Sequence, residues 1–162
     1  MAKPPVQVVD ILQALPRSDC RRGAFRHFTL MPVGECRTMP RRGNAAAAAL
    51  ESLGATAARV VFDRLHDSGR TLALCGSETM RGICRLQDAI RQHLSCHGIP
   101  LPRYRFNPHI TLAYRSDGRG SETIDPISWS VEDVLLIESV YGEGRHIEHG
   151  RWRLRDPLSI AA

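Results

Sequence analysis

The stretch Asn107-Pro108-His109-Ile110-Thr111-Leu112-Ala113-Tyr114 decides how this chain is read. A proline opens it and a β-branched and aliphatic run follows, the composition of a strand. Successive side chains on a strand point to opposite faces, so His109 and Thr111 share one surface while Ile110 and Leu112 share the other. An imidazole and a hydroxyl thus stand side by side, anchored from behind by two apolar residues. An earlier stretch, Phe25-Arg26-His27-Phe28-Thr29-Leu30, has the same form, with His27 and Thr29 on one face and Phe28 and Leu30 on the other. One His-x-Thr-Leu has a chance of only roughly 0.03 in a chain of this composition, so two copies argue for a shared task rather than for two strands that happen to bury a histidine.

Two histidines facing one cleft provide what phosphodiester chemistry requires, a proton acceptor and a proton donor that both titrate near neutrality. Each threonine hydroxyl, two residues along the same face, can donate to a phosphoryl oxygen. No cluster of Asp or Glu with metal-ligand spacing accompanies the motifs, so acid–base catalysis without metal or other cofactor is expected.

The paired motifs resemble the signature of the 2H phosphoesterase superfamily. Within it, the Pro-His-Ile-Thr-Leu form of the second motif is similar to that of the bacterial 2′-5′ RNA ligase-like proteins, which act as RNA 2′,3′-cyclic phosphodiesterases. So is the closing pattern of Val134 to Ser139, Gly144 and Gly150-Arg151-Trp152-Arg153-Leu154. The resemblance runs from about Arg26 to Leu154. It implies an α+β, bilobal fold: two antiparallel sheets with outer helices around a central cleft, the two motif strands facing each other across it. It implies His27 as proton donor and His109 as base, although the residues alone leave that assignment open. It further implies Thr29, Thr111 and Arg115 as phosphate-binding groups, and an RNA end or nucleotide bearing a 2′,3′-cyclic phosphate as substrate. Two other readings stand beside it: a related enzyme acting on a small nucleotide, such as an ADP-ribose cyclic phosphate or a 2′-5′-linked oligonucleotide, and a non-catalytic basic RNA-binding module.

Composition sets the surroundings. The 162 residues allow one domain with a sizeable core, expected over residues 25–158 with a less readable segment at 1–24. The net charge of +5 comes from 21 Arg against a single Lys, Lys3. Arg17, Arg21, Arg22 and Arg26 precede the first motif, and Arg103, Arg105, Arg115 and Arg119 bracket the second, a distribution that suits an anionic substrate. The five cysteines are scattered with no Cys-x-x-Cys pair, which points to reduced thiols. With no apolar run long enough for a membrane span and no secretory h-region, a cytoplasmic protein is expected.

Along the chain, Val6 to Leu15 reads as a short helix or strand stopped by Pro16. It is too short to supply both the strand and the helix with which relatives begin. The N-terminal strand is therefore expected to be missing, leaving a sheet edge for this segment, a cover or a second chain to fill, so the protein is a monomer or an N-terminally paired dimer. Asn44 is expected to cap a helix over Ala45–Leu53, and Ser77 or Thr79 a second helix from about Glu78 to His97 that Gly98 ends. Strands are expected at Arg59–Leu65, Thr71–Cys75, Ile127–Val131, Val134–Val140 and Arg151–Leu154, with a mobile loop from Ser116 to Glu122. His93, Cys96 and His97 have a spacing that could bind zinc, but they suit an exposed helix end better. Tyr104 and Phe106 are equally suited to stacking on a base and to the core. His146 and His149, in the closing hairpin, could line the cleft but suit an exposed hairpin better.

Overall fold

The computed structural model describes residues 1–19, 26–34, 39–114, 116–140 and 145–157. Within them the order is α1 (Val6–Ala14), α2 (Met39–Leu50), β1 (Ala58–Asp67), β2 (Thr71–Cys75), α3 (Arg81–Cys96), β3 (His109–Tyr114), β4 (Gly120–Val131), β5 (Asp133–Val140) and β6 (Arg145–Arg153). Four strands form an antiparallel sheet in the order β3-β2-β1-β4, and β5 and β6 form a second, two-stranded one. This is the α+β arrangement of two antiparallel sheets that the sequence implied.

Alternation explains β1 once a bulge is allowed for. Val60 and Phe62 are buried on even positions, Leu65 and Asp67 on odd ones, and the register to β4 slips between Phe62 and Arg64. β4 carries Pro126, which lacks an N–H, and β4 is an edge strand. In α3, Ile83, Leu86, Ile90 and Leu94 fall on one buried stripe, and Gly98 ends the helix at φ +71°. The core joins both sheets: Phe28, behind the first motif, meets Phe62 of β1 edge-on at 6.1 Å, and Phe62 stacks on Trp129 of β4 at 5.2 Å.

Several expectations are corrected here. α2 begins at Met39, with Pro40 in the first turn where its missing N–H is no loss, so Asn44 lies inside the helix rather than capping it. Ser77 does not cap α3, because its main-chain N–H and hydroxyl both bond the Asp63 carboxylate. Gly120 to Glu122, expected in a loop, pair with Leu65 to Asp67 as the start of β4.

At the N-terminus the segment expected to pair along the sheet edge, Val6 to Leu15, forms α1 instead. No regular strand precedes α1 among the described residues. Instead Ala2 exchanges two main-chain hydrogen bonds of 3.0 Å with Phe28, and Met1 bonds Leu135 through its nitrogen at 2.7 Å and its oxygen at 2.9 Å. Two residues thus do the work of a strand, tying the first motif to β5.

At the far end of β1, Asp67 gathers three connections. Its buried carboxylate receives Arg17 at 2.7 Å and the N–H groups of Gly69 and Gly118 at 3.0 Å each. The Ser116 hydroxyl first, then these amides, hold the Asp67 carboxyl well below the usual carboxylate range. A group whose folded pKa is depressed contributes stability that is present above its unfolded value and lost as pH falls below it. The wild type should therefore lose stability as pH falls below about 4. Asp67→Asn, less stable at neutral pH, should show a smaller loss over that window in chemical denaturation.

No helix among the described residues is long and apolar enough to cross a membrane.

Candidate active site

β3 is an edge strand, so His109 and Thr111 stand at the border of the larger sheet. Behind them Ile110 and Leu112 are completely buried, as alternation requires; His109 is exposed and Thr111 half-buried. The His109 Nδ1 lies 2.8 Å from the carbonyl oxygen of Asn107. A carbonyl only accepts, so Nδ1 carries the hydrogen, and the Nε2 of the neutral ring is left with its lone pair directed outward. That is the tautomer a general base needs.

The first motif is held differently. It is not a regular strand: Phe28 alone is bridged, to Ala2, and the chain then bends away at Leu30. His27 and Thr29 are half-buried on one side of it, with Phe28 and Leu30 fully buried on the other, so the alternation of faces survives without the ladder.

Two crossed hydrogen bonds bring the motifs together. Arg26, adjacent to His27, donates from one guanidinium nitrogen to the Thr111 carbonyl at 3.0 Å. Tyr104, on the approach to His109, donates its hydroxyl to the Thr29 carbonyl at 3.1 Å. Each His-x-Thr is therefore gripped by a side chain that precedes the other. Arg26 is only 2% exposed, and its second terminal nitrogen bonds the Ser18 hydroxyl at 2.6 Å and the Asp19 carbonyl at 3.0 Å. The Asp19 N–H in turn bonds the Leu112 carbonyl at 3.1 Å.

Arg64 joins this face of the sheet. Cys75 is the register partner of both Arg64 on β1 and His109 on β3, so the three side chains form one row on one face. Burial pushes the Cys75 thiol up, and the nearby Arg64 charge acts against that shift. One Arg64 terminal nitrogen is anchored on the Gly76 carbonyl at 2.9 Å, while its buried Nε has no partner among the described residues. Two strand spacings, about 10 Å, separate the Arg64 and His109 backbones, a gap that two long side chains span.

His146 is closer to the site than an exposed hairpin residue would be. It is half-buried on β6, its ring edge-on to His27 with centroids 4.8 Å apart. His149 faces the other way and bonds the Glu138 carboxylate at 2.8 Å. Tyr104 and Phe106 are half-buried against the core with ring centroids 6.5 Å apart. Arg115 lies outside the described residues. The His93–Cys96–His97 helix end has its imidazoles engaged: His93 Nε2 donates to the Ala49 carbonyl at 2.8 Å and His97 Nδ1 to the His93 carbonyl at 2.9 Å. Among the described residues no group of three or more His, Cys, Asp or Glu is placed to hold a metal ion. Cys75, Cys84 and Cys96 are free thiols.

The two histidines and two threonines were expected from the sequence to share one site; Arg64, whose place on the motif face depends on the β1 bulge, was not expected there, and Arg26 was expected only as part of a basic run, not in a contact across 85 residues.

The fold has relatives among solved structures. Escherichia coli LigT complexed with 3′-AMP is 20% identical and superimposes over 94% of each chain with a TM-score of 0.69. A solved phosphoesterase is 19% identical over 94% of each chain, with a TM-score of 0.67. A protein of Thermus thermophilus is 18% identical over 96% of each chain, with a TM-score of 0.65. No family model and no curated protein matches the chain. The architecture is the fold of Escherichia coli LigT.

Proposed function

We propose that this chain is a metal-independent RNA 2′,3′-cyclic phosphodiesterase that opens the cyclic phosphate to a 2′-phosphomonoester by two-histidine acid–base catalysis. The crossed bonds of Arg26 and Tyr104 carry the reading, because they hold two His-x-Thr segments that share no ladder against one another. Water attacks phosphorus in line with the P–O3′ bond, and its proton passes to Nε2 of neutral His109. As the P–O3′ bond breaks, imidazolium His27 delivers a proton to the departing O3′, and ring strain is released. Thr29 and Thr111 donate to the non-bridging oxygens, and the free edge of the Arg64 guanidinium, with Arg115, neutralises their charge. Arg103 and Arg105, exposed on the run toward His109, suit a polynucleotide substrate.

The decisive experiment incubates the protein with nucleoside 2′,3′-cyclic phosphates in excess chelator and identifies the product isomer. Undiminished formation of the 2′-monophosphate is expected. A preparation that chelator silences and zinc alone restores would overturn the mechanism. Arg64→Met should lower kcat/KM by about 10–100-fold, the size of one lost charge-assisted hydrogen bond to a phosphoryl oxygen, with the melting temperature little changed. An unaltered kcat/KM would remove Arg64 from the site.

A small-nucleotide substrate is the second reading, favoured by solved complexes of LigT with ATP and NADP+. Affinity for an oligonucleotide should fall steeply with salt if several phosphates are bound, and shallowly if one nucleotide is.

A further inference from the structure

We infer that Tyr114 is a stacking platform for the base of the nucleotide whose phosphate lies at Thr111. The inference rests on the phosphodiesterase reading and places a part of the substrate that the histidines and threonines do not touch. Counted along β3, Tyr114 belongs with Ile110 and Leu112 and ought to be buried as they are. It is 56% exposed. The reason is an irregularity in the β2–β3 ladder. His109 pairs with Cys75, Ile110 with Leu74 and Thr111 with Ala73, but Ala113 pairs with Leu72 and Tyr114 with Thr71. β3 thus carries one residue more than β2, and Leu112 and Ala113 both pack toward the core. Past the extra residue the alternation is reversed. On β2, Leu72 and Leu74 are wholly buried, so Thr71, Ala73 and Cys75 share the opposite face. Register partners share a face, which puts Tyr114 on the same surface as Thr111 and His109. The irregularity is pinned from the first-motif side: the Leu112 carbonyl accepts the Asp19 N–H at 3.1 Å, and the Thr111 carbonyl accepts Arg26 at 3.0 Å.

Three features suit this ring to a base. The first is distance. Their partners Ala73 and Thr71 are two residues apart, so Tyr114 lies roughly 7 Å along the strand direction from Thr111. That is about the reach of one ribose between its phosphate and its base. The second is exposure. Every other Phe, Tyr and Trp among the described residues is buried or half-buried, and Tyr104 spends its hydroxyl on the Thr29 carbonyl. The third is charge. Arg64 stands on the same face in the His109 row, and Arg103 and Arg105 are exposed on the approach to His109. Guanidinium groups that hold phosphates beside an aromatic face that holds a base are the combination by which single-stranded nucleic acid is bound.

The test compares adenosine 2′,3′-cyclic phosphate with glycerol 1,2-cyclic phosphate, which undergoes the same ring opening but has no base. Tyr114→Ala should lower the ratio of the two kcat/KM values, adenosine over glycerol, by about 10–100-fold, the size of one lost base–aromatic stack, chiefly through the KM of the adenosine substrate. Tyr114→Phe and Tyr114→Trp keep a π face and should keep the ratio near wild type. Tyr114→Leu keeps apolar cover at the strand end but has no ring. It should behave as the alanine variant does, and it covers the case in which that variant fails to fold. Titration with adenosine 2′-monophosphate, followed by the ring-current shift of the adenine proton resonances, separates the two levels of the argument. A shift that Tyr114→Leu removes, in a protein that hydrolyses neither cyclic phosphate, would sink the catalytic reading and leave the platform standing. Hydrolysis of both substrates with an unaltered ratio in Tyr114→Leu would overturn the platform and leave the catalytic reading standing. A wild type that binds no adenosine 2′-monophosphate would overturn the platform as well.

Discussion

His109→Ala should lower turnover of a nucleoside 2′,3′-cyclic phosphate by about 10²–10⁴-fold, and His27→Ala by a similar factor, as expected for loss of a general base or acid. The surroundings of each ring say why the loss should be chemical rather than structural. His109 is exposed, and among the described residues its ring is fixed by the Asn107 carbonyl just before β3. That contact sets the tautomer and leaves Nε2 for the substrate. His27 lies outside the core, whereas its neighbour Phe28 is buried and packs on Phe62. Both alanine variants should therefore melt near the wild-type temperature. Thr29→Ala and Thr111→Ala each remove one hydrogen bond and should lose less, about 10-fold or somewhat more. The double variant His27→Ala/His109→Ala should be little worse than the poorer single one, because groups acting on one transition state are not additive. With one ring needed neutral and the other protonated, turnover against pH should rise and fall. A folded His109→Ala protein with near wild-type turnover on every cyclic phosphate would leave a basic RNA-binding module as the better account.

The site was legible where side-chain chemistry is local and opaque where it depends on a partner far along the chain. Alternation within Pro108 to Tyr114 was enough to separate His109 and Thr111 from Ile110 and Leu112, because a strand's period of two does not depend on its neighbours. The same alternation worked for His27 and Thr29, although that segment makes one bridge and no ladder. Boundaries fared less well. α2 runs through Gly43 and Asn44, residues that usually start or stop helices, because the alanine run and the packing of Ala46, Ala49 and Leu50 outweigh the local preference. β4 reaches back to Gly120 because β1 offers it a long partner, which no property of Gly120-Ser121-Glu122 announces. His146 was misjudged for the same reason. Its contact is His27, and a hairpin position alone says only that it faces one side or the other.

Arg26 is where the dependence on distant partners is greatest, and its replacement should have the second largest effect. A guanidinium buried among carbonyls and one hydroxyl reads in the sequence as one more arginine in a basic run. In the fold it bonds Thr111, Ser18 and Asp19 at once. Arg26→Met keeps most of the aliphatic length and removes every donor. Each buried acceptor left without a partner costs about 1–3 kcal/mol, and these losses overlap, so about 2–5 kcal/mol of stability should go, read from denaturant midpoints. Turnover at a temperature where the variant stays folded should fall by about 10²-fold, since a misplacement of about 1 Å between catalytic groups has that effect. The change should appear in kcat more than in KM, because Arg26 is too buried to touch substrate. Arg26→Lys should recover only part of either loss, as a single ammonium cannot reach Thr111 on one side and Ser18 and Asp19 on the other with the geometry of a planar fork. Tyr104→Phe, which cuts the reciprocal bond alone, should show the same pattern at about 0.5–1.5 kcal/mol. If Arg26→Met lost stability but kept full kcat, the bond to Thr111 would be a structural tie only, and the alignment of the two motifs would have to come from the shared core of Phe28, Phe62 and Leu112.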